Sequence, residues 1–225
     1  MPPTDAEPHP RSELVPLPAW SPRIRESRAL RPAGPAPTAS FEDVLDRRRS
    51  DRAMFALSEA RLSELLWHAV RARDVRGDWQ HRAAASAGGL HPIQVLVFAR
   101  ATRDVVLYEP THHHALVLDE IDSHLLCAAL DQTLFLGEAA DATLLLLAAE
   151  MNRTASAYEN SKSLVWRDAG CLLATLQIVC SWLSIASCPL GVLGEPLLAA
   201  CGASGQLVAT GLLVVGEPAV AGSHR

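Results

Sequence analysis

Aromatic residues are scarce in this chain of 225 residues, since five tryptophans, four phenylalanines and two tyrosines make up only 5% of it. Hydrophobic residues nevertheless account for 49% and charged residues for 20%, a balance that excludes a wholly disordered chain. The length is sufficient for one large domain. We therefore expect one globular unit with a core of aliphatic side chains.

Three further features are missing. The net charge is −5 and the basic residues are scattered apart from one short cluster, so no cationic face suits nucleic acid. The start "MPPTDAEPHPRSE" lacks the basic and apolar regions of a signal peptide, which favours the cytoplasm. The five cysteines have no CxxC spacing, which is typical of buried thiols in a reducing compartment: Cys127, Cys171, Cys180, Cys188 and Cys201.

One uncharged run has the length of a membrane span, namely "AGCLLATLQIVCSWLSIAS" at residues 169–187. Its polar side chains include Thr175 and Gln177, and it directly follows Arg167 and Asp168. This polar content favours a buried helix of a folded domain over a membrane span.

The organisation of the chain changes near residue 40. Residues 1–40 hold most of the prolines and predict an extended arm with little regular structure, and residues 41–225 form the predicted domain. Helical patterns and strand patterns mix without a βαβ repeat, so the fold class is α+β. The predicted strands are "IQVLVFAR", "VVLYEP", "HHALVL", "ATLLLLAAE" and "GQLVATGLLVVGEP", and the predicted helices include residues 119–131 and 164–187.

Two stretches carry residues suited to binding chemistry. In "ASAGGLHP" the small residues would let a flat ring approach the backbone, and the Ser86 hydroxyl could donate hydrogen bonds to its carbonyls; an ordinary glycine-rich loop is the alternative. Arginines that flank a serine suit a phosphate monoester, although a solvated basic turn paired with Asp46 and Asp51 is equally open. That cluster comprises Arg48, Arg49, Ser50 and Arg52.

Seven short motifs follow one another along the chain, and their order carries more information than any one of them: "RRRSDRAMF", "LSEARLSELLWHA", "ASAGGLHP", "VVLYEPTHHHAL", "RDAGCLLATLQ", "CPLG" and "VVGEP". Over residues 14–218 this series resembles the SagB-type dehydrogenases of the nitroreductase superfamily. The resemblance implies an FMN-binding α+β fold with a central mixed or antiparallel sheet, flanked by helices. It also implies an intertwined homodimer with flavin sites at the subunit interface, residues 164–187 as the dimer helix, and terminal arms that wrap the second subunit.

The same resemblance assigns roles to single residues. Arg48, Ser50 and Arg52, with Arg49 between them, correspond to contacts with the flavin phosphate and pyrimidine side. The ring would lie against Ser86, Ala87, Gly88 and Gly89. A backbone N–H of Gly191 or Val192 would face the reactive flavin nitrogen.

Two departures from the family pattern concern catalysis. The azoline-oxidising branch carries a Lys-Tyr pair before the "AG" of the long helix, whereas this chain has Ala157 before Tyr158, with Lys162 several residues later. Tyr158 or a neighbouring residue is predicted to handle the proton. Because tyrosine alone is a weak base at neutral pH, either Lys162 or a histidine substitutes for the missing lysine, or the chemistry differs. The segment "GVLGEP" also differs from the family's usual sequence at that point.

The expected activity is FMN-dependent oxidation of an azoline or a related peptide-derived or carrier-bound intermediate in natural-product biosynthesis, with a cyclodehydratase-type enzyme as a possible partner. Two alternatives stay open: a reductase that uses NAD(P)H to reduce a nitro or quinone compound, and a non-catalytic partner protein that has lost its flavin chemistry. No metal is expected, because the run His112, His113 and His114 has no surrounding ligand set.

Overall fold

The computed structural model describes residues 6–77, 79–99, 104–132 and 141–219. Its helices are α1 (Phe41–Arg47), α2 (Glu59–Ala69), α3 (Ser123–Asp131), α4 (Met151–Ala155), α5 (Lys162–Trp182) and α6 (Glu195–Ala200). Its strands are β1 (His9–Pro10), β2 (Ile24–Ala29), β3 (Met54–Phe55), β4 (Asp74–Arg76), β5 (Trp79–His81), β6 (Ile93–Phe98), β7 (Val105–Glu109), β8 (His114–Leu118), β9 (Thr143–Ala149), β10 (Tyr158–Glu159), β11 (Ala186–Pro189) and β12 (Val208–Pro218).

The main sheet has eight strands in the order β11-β12-β9-β6-β7-β8-β2, with β3 paired to the far end of β12. Every pairing within it is antiparallel. Strand β9 lies at its centre and is buried on both faces, which explains its unbroken apolar sequence. The strands predicted from sequence are therefore confirmed, with boundaries that differ by a few residues.

Helices cover both faces of this sheet. Because side chains alternate along a strand, Leu144 and Leu146 of β9 join the core beneath α3 and α6, whereas Leu145 and Leu147 join the core beneath α2 and α5. The predicted α+β fold, an antiparallel sheet flanked by helices, is confirmed.

Helix α5 is the long helix predicted from sequence, but it ends at Trp182 rather than at residue 187. Ser184 has a left-handed backbone (φ 56), and the N–H of Ile185 donates to the carbonyl of Cys180 at 2.8 Å, which closes the helix before β11. By length and composition α5 could span a membrane, and a third of its most apolar window is buried. Its buried face packs on α2 and on the sheet.

The N-terminal arm has more regular structure than expected. Residues 24–29 form β2, an edge strand paired with β8, although a six-residue segment exposed throughout has no hydrophobic pattern to reveal it. Residues 7–20 bind the chain's own segment 150–160, for example through the N–H of Arg11 and the carbonyl of Ala157 at 2.8 Å. The arm thus contacts its own chain, and the wrapping of a second subunit stays a prediction. The proposed domain boundary at residue 40 stays a prediction.

Candidate flavin site

The glycine loop, residues 86–89, is held by a carboxylate that the sequence analysis missed. Asp168, buried on α5, accepts hydrogen bonds from the Ser86 hydroxyl at 2.6 Å and from the Ala87 N–H at 3.1 Å. Burial raises the pKa of the Asp168 carboxyl, and the hydrogen bonds from Ser86 and Ala87 oppose that rise. The available signal was an acidic residue next to a long apolar run, in "WRDAGCLL".

This arrangement engages the Ser86 hydroxyl within the chain, and its predicted contact with a flavin stays a prediction. Its hydroxyl hydrogen is donated to Asp168, and its oxygen accepts the N–H of His91 at 2.9 Å. A hydroxyl has one hydrogen, so Ser86 in this state has none left for a flavin carbonyl. In this state Ser86 joins the loop to α5.

The two glycines of the loop are covered by aromatic side chains of the same chain. Both have left-handed backbones, with φ of 61° at Gly88 and 63° at Gly89. A Cβ at Gly88 would lie 3.1 Å from the Tyr158 hydroxyl oxygen, and one at Gly89 would lie 2.4 Å from Cδ1 of Trp79. The close approach predicted from the glycines therefore exists here between the loop and two rings.

The two predicted catalytic residues are placed differently. Tyr158 lies half-buried in β10 with its hydroxyl against Gly88. Lys162 is the exposed first residue of α5, and within the described residues no hydrogen bond or ion pair joins it to Tyr158. The structure thus brings Tyr158, but not Lys162, into contact with the glycine loop.

The basic cluster lies at the opposite end of α5. Arg48, Ser50 and Arg52 are exposed just after α1, and their side chains have no hydrogen-bond partner in the described part of the chain. Arg49 pairs with Asp51 at 3.3 Å, and the Asp51 N–H donates to the carbonyl of Ser187 at 2.9 Å. A cavity of about 450 Å³ lies beside the cluster, lined by Asp46, Arg47, Arg49, Asp51, Gln177, Ser181, Ser184, Ile185, Ala186, Ser187 and Pro218.

Arg47 and Arg49 line this cavity, whereas the side chains of Arg48, Ser50 and Arg52, unpaired within the described residues, lie in the same segment outside its lining. Arginine forks and a hydroxyl in one segment suit a phosphate and the polar edge of a ring. Gly191 and Val192 follow β11 in an exposed turn, and a Cβ at Gly191 would meet nothing within 4 Å. The backbone at Gly191 is therefore open to a ligand. The residues present are compatible with FMN, although the carboxylates of Asp46 and Asp51 line the same cavity.

The two halves of the predicted site are separated within one chain. Asp168 binds the glycine loop, whereas Ser181 of the same helix donates to the carbonyl of Val44 in α1, close to the arginines. Thirteen residues of α-helix between them correspond to about 20 Å. A single chain therefore does not bring Arg48 and Arg52 to Gly88 and Gly89.

The outer face of α5 has small residues where it is exposed. Gly170 and Ala174 lie on it, one helical turn apart, together with Trp166 and Cys171. A Cβ at Gly170 would contact nothing within 4 Å. The expectation that all five cysteines are buried is wrong for Cys171, which is exposed. Cys180 and Cys188 are buried, and Cys127 and Cys201 are partly buried.

Residues 45–216 match the model of the nitroreductase family, and the chain belongs to that family. A search of curated proteins found no match. A candidate nitroreductase from Ralstonia eutropha JMP134 has a similar structure, with a TM-score of 0.66 at 20% identity, covering 97% of this chain and 100% of that one. A candidate nitroreductase from Exiguobacterium sibiricum 255-15, in complex with FMN, has a similar structure with a TM-score of 0.56 at 16% identity. The match covers 85% of this chain and 94% of that one.

A third similar structure is the Escherichia coli microcin synthetase McbBCD complex with truncated pro-MccB17 bound. Its TM-score is 0.58 at 13% identity, and the match covers 87% of this chain and 79% of that chain. At these identities the three structures establish the fold. Family membership adds that this chain is a flavin oxidoreductase by descent.

Proposed function

We propose that this protein is an FMN-dependent oxidoreductase of the SagB type that acts as a homodimer in the cytoplasm. The single observation that carries the proposal is that the glycine loop contacts α5 at Asp168, whereas α1, which precedes the arginine cluster, contacts it at Ser181, about 20 Å further along the helix. This separation leaves each chain with two half-sites, which a second copy can complete.

Antiparallel pairing of two α5 helices would complete both sites. If a two-fold axis crosses the helices near Ala174, Asp168 of one copy lies beside the position of Cys180 of the other. The glycine loop of one copy then faces the basic cluster of its partner. The small exposed residues Gly170 and Ala174 would allow the two helices to approach closely at this crossing.

Bound FMN would supply an acceptor for a hydride, which is two electrons and one proton, from the substrate. Arg48, Ser50 and Arg52 would hold its phosphate and polar edge, and the open backbone at Gly191 would lie near the ring. The glycine loop would support the ring from the partner side, fixed in place by Asp168.

The proposed substrate is an azoline or a related peptide-derived or carrier-bound intermediate, which is oxidised to the aromatic azole. With FMN bound, this oxidation would remove a hydride from one ring carbon and a proton from the adjacent carbon, with the flavin as hydride acceptor, a side chain as base and dioxygen as the final electron acceptor. Tyr158, with its hydroxyl at the glycine loop, is the nearest candidate for the proton step, and exposed Lys162 is the second. The similarity to the microcin synthetase complex supports a peptide substrate and a cyclodehydratase-type partner.

A second candidate function is reduction of a nitro or quinone compound by NAD(P)H. It is favoured by structural similarity to a candidate NADH oxidase from Clostridium acetobutylicum, with a TM-score of 0.53 at 13% identity, covering 80% of this chain and 89% of that one.

The experiment is anaerobic mixing of FMN-loaded protein with a thiazoline-containing peptide or with NADPH, followed at the flavin absorbance band. Bleaching by the thiazoline, slowed in Tyr158→Phe at unchanged flavin content, is the expected result. Bleaching by NADPH alone would favour the reductase. Protein that does not take up FMN would favour the non-catalytic alternative.

A further inference from the structure

A cleft of about 380 Å³ separates the N-terminal arm from the domain. One wall is the arm itself, and the other is made by the end of the glycine loop and by α4 with the residues around it. Its lining is Leu14, Val15, Pro16, Leu17, Pro18, Ala19, Leu90, Glu150, Asn152, Arg153 and Ser156. This volume lies within the range of small-ligand sites.

The arm wall is held in place by hydrogen bonds at both ends of the cleft. The N–H of Val15 donates to the carbonyl of Ser156 at 2.9 Å, and the Asn152 side chain donates to the carbonyl of Pro18 at 2.8 Å. Further along, the N–H of Trp20 donates to the Glu150 carboxylate at 2.9 Å. Segment 150–160 therefore already binds the backbone of the arm.

The arm's side chains at the cleft are apolar and uncovered. Leu14 is 63% exposed, Val15 41% and Leu17 38%. Single exposed apolar residues are ordinary on protein surfaces. Three of them within four positions form a continuous apolar surface on the N-terminal arm. An apolar group bound in the cleft would cover them.

The opposite wall carries Glu150 and Arg153, and the side chain of Arg153 is the one without a partner among the described residues. Arg153 is half-buried, and its guanidinium has no hydrogen bond or ion pair within the described residues. The charge of Arg153 helps to lower the pKa of Arg82 and of His91. The two oxygens of Glu150 are engaged, one by the Trp20 N–H and one by the Gln94 amide at 3.3 Å. Arg153 is thus available to a carboxylate brought by a ligand.

The cleft adjoins the predicted reaction site. Leu90 directly follows Gly88 and Gly89, and Ser156 stands two residues before Tyr158. A ligand lying along the arm would therefore extend towards the glycine loop.

We propose that this cleft binds an extended peptide segment, with an apolar side chain against Leu14 and Leu17 and a carboxylate on Arg153. The assignment of a peptide as the ligand rests on the proposed function. The structure itself gives the position of the cleft, its apolar wall and its charge. The N-terminal arm is then part of the substrate site.

The test is calorimetric binding of two synthetic peptides, acetyl-Gly-Leu-Leu-Asp-amide and its Asn counterpart, to the full-length protein. The Asp peptide should bind about tenfold more tightly, since an arginine–carboxylate hydrogen bond distinguishes the two. Arg153→Gln should remove that preference, and Leu14→Ser with Leu17→Ser should weaken both peptides. Arg23→Gln, which removes an arm arginine paired with Glu120 outside the cleft, is the matched control.

Equal binding of the two peptides by the wild type, or an Asp preference that survives Arg153→Gln, would overturn the charge assignment. If the leucine variants alter the dimer equilibrium and leave peptide binding unchanged, the apolar wall is a contact between copies and the proposal fails. Protein that retains FMN but binds neither peptide would disprove the cleft alone. Peptide binding by protein that cannot take up FMN would disprove the flavin function alone.

Discussion

At the scale of the residue, Asp168 connects fold and site. Its carboxylate accepts two donors of the glycine loop while lying on the buried face of α5. The sequence identified the loop through Gly88 and Gly89 but gave Asp168 no role, because its partner Ser86 lies 82 residues away and only the fold brings the two together.

Asp168→Ala should lower the free energy of unfolding by about 2 kcal/mol, because the Ser86 hydroxyl and the Ala87 N–H lose their acceptor in a buried position. Urea unfolding measures this loss. Thr175→Ala on the same helix, where the hydroxyl bonds only the helix's own carbonyl, is the control and should change little. The flavin content should fall with Asp168→Ala; undiminished retention would refute its role in holding the loop.

His91 gives a pH dependence with a defined sign. Its N–H holds Ser86, its Nε2 lies 2.9 Å from the carbonyl of Gln80, and burial, with the charge of Arg82, lowers the pKa of the imidazole to about 4. Between the ordinary histidine pKa of about 6.5 and this value, the unfolded chain binds a proton that the folded chain does not. Stability from His91 is therefore complete above pH 6.5 and decreases as the pH falls towards 4.

The variant His91→Asn tolerates the left-handed backbone at this position and does not titrate. Urea unfolding at pH 6.5 and 4.5 should show a smaller loss for His91→Asn than for the wild type. Burial also lowers the pKa of His68 and His113, so some loss remains in the variant. Exposed His124→Asn is the control; equal losses in the wild type and His91→Asn would contradict the assignment.

At the scale of the element, the sequence pattern predicted the helices and strands that show a local hydrophobic pattern. It did not predict elements that are specified by pairing with distant parts of the chain. The apolar run of β9 and the long helix α5 were recognisable in the sequence. Strand β2 was not, because its residues are exposed and it is specified by pairing with β8. Proline content does not reveal which surface the arm binds, because that depends on contacts with the distant segment 150–160.

Helix α5 carries the element-scale prediction. Gly170→Arg should fold as a monomer, since a side chain there meets nothing within 4 Å, but it should raise the dimer dissociation constant on the order of 100-fold by placing unpaired charge in the helix crossing. Sedimentation velocity measures the change. Ala60→Arg, at an exposed position of α2, is the control. An unchanged dimer dissociation constant in Gly170→Arg would place the interface elsewhere.

At the scale of the whole molecule, the fold keeps the two predicted half-sites apart. The sequence listed both halves, but only the contacts of Asp168 and Ser181 at opposite ends of α5 show their separation. If each flavin site combines the arginines of one copy with the loop of the other, defects in different halves should complement each other.

Mixing the variant Arg48→Ala/Arg52→Ala with Asp168→Ala should therefore restore flavin binding that neither has alone. Random dimers give one intact site in each heterodimer, which is about a quarter of all sites. Absorbance of the desalted mixture, after dissociation and reassociation, measures this fraction. Absence of recovery in confirmed heterodimers would mean that each site belongs to one chain.

The most direct measurement is the visible absorbance spectrum of the purified wild-type protein, before and after addition of FMN and desalting. We expect a retained oxidised-flavin spectrum at about one FMN per chain, since a homodimer with two composite sites would bind two FMN molecules. Colourless protein that cannot be reconstituted would contradict the flavin function.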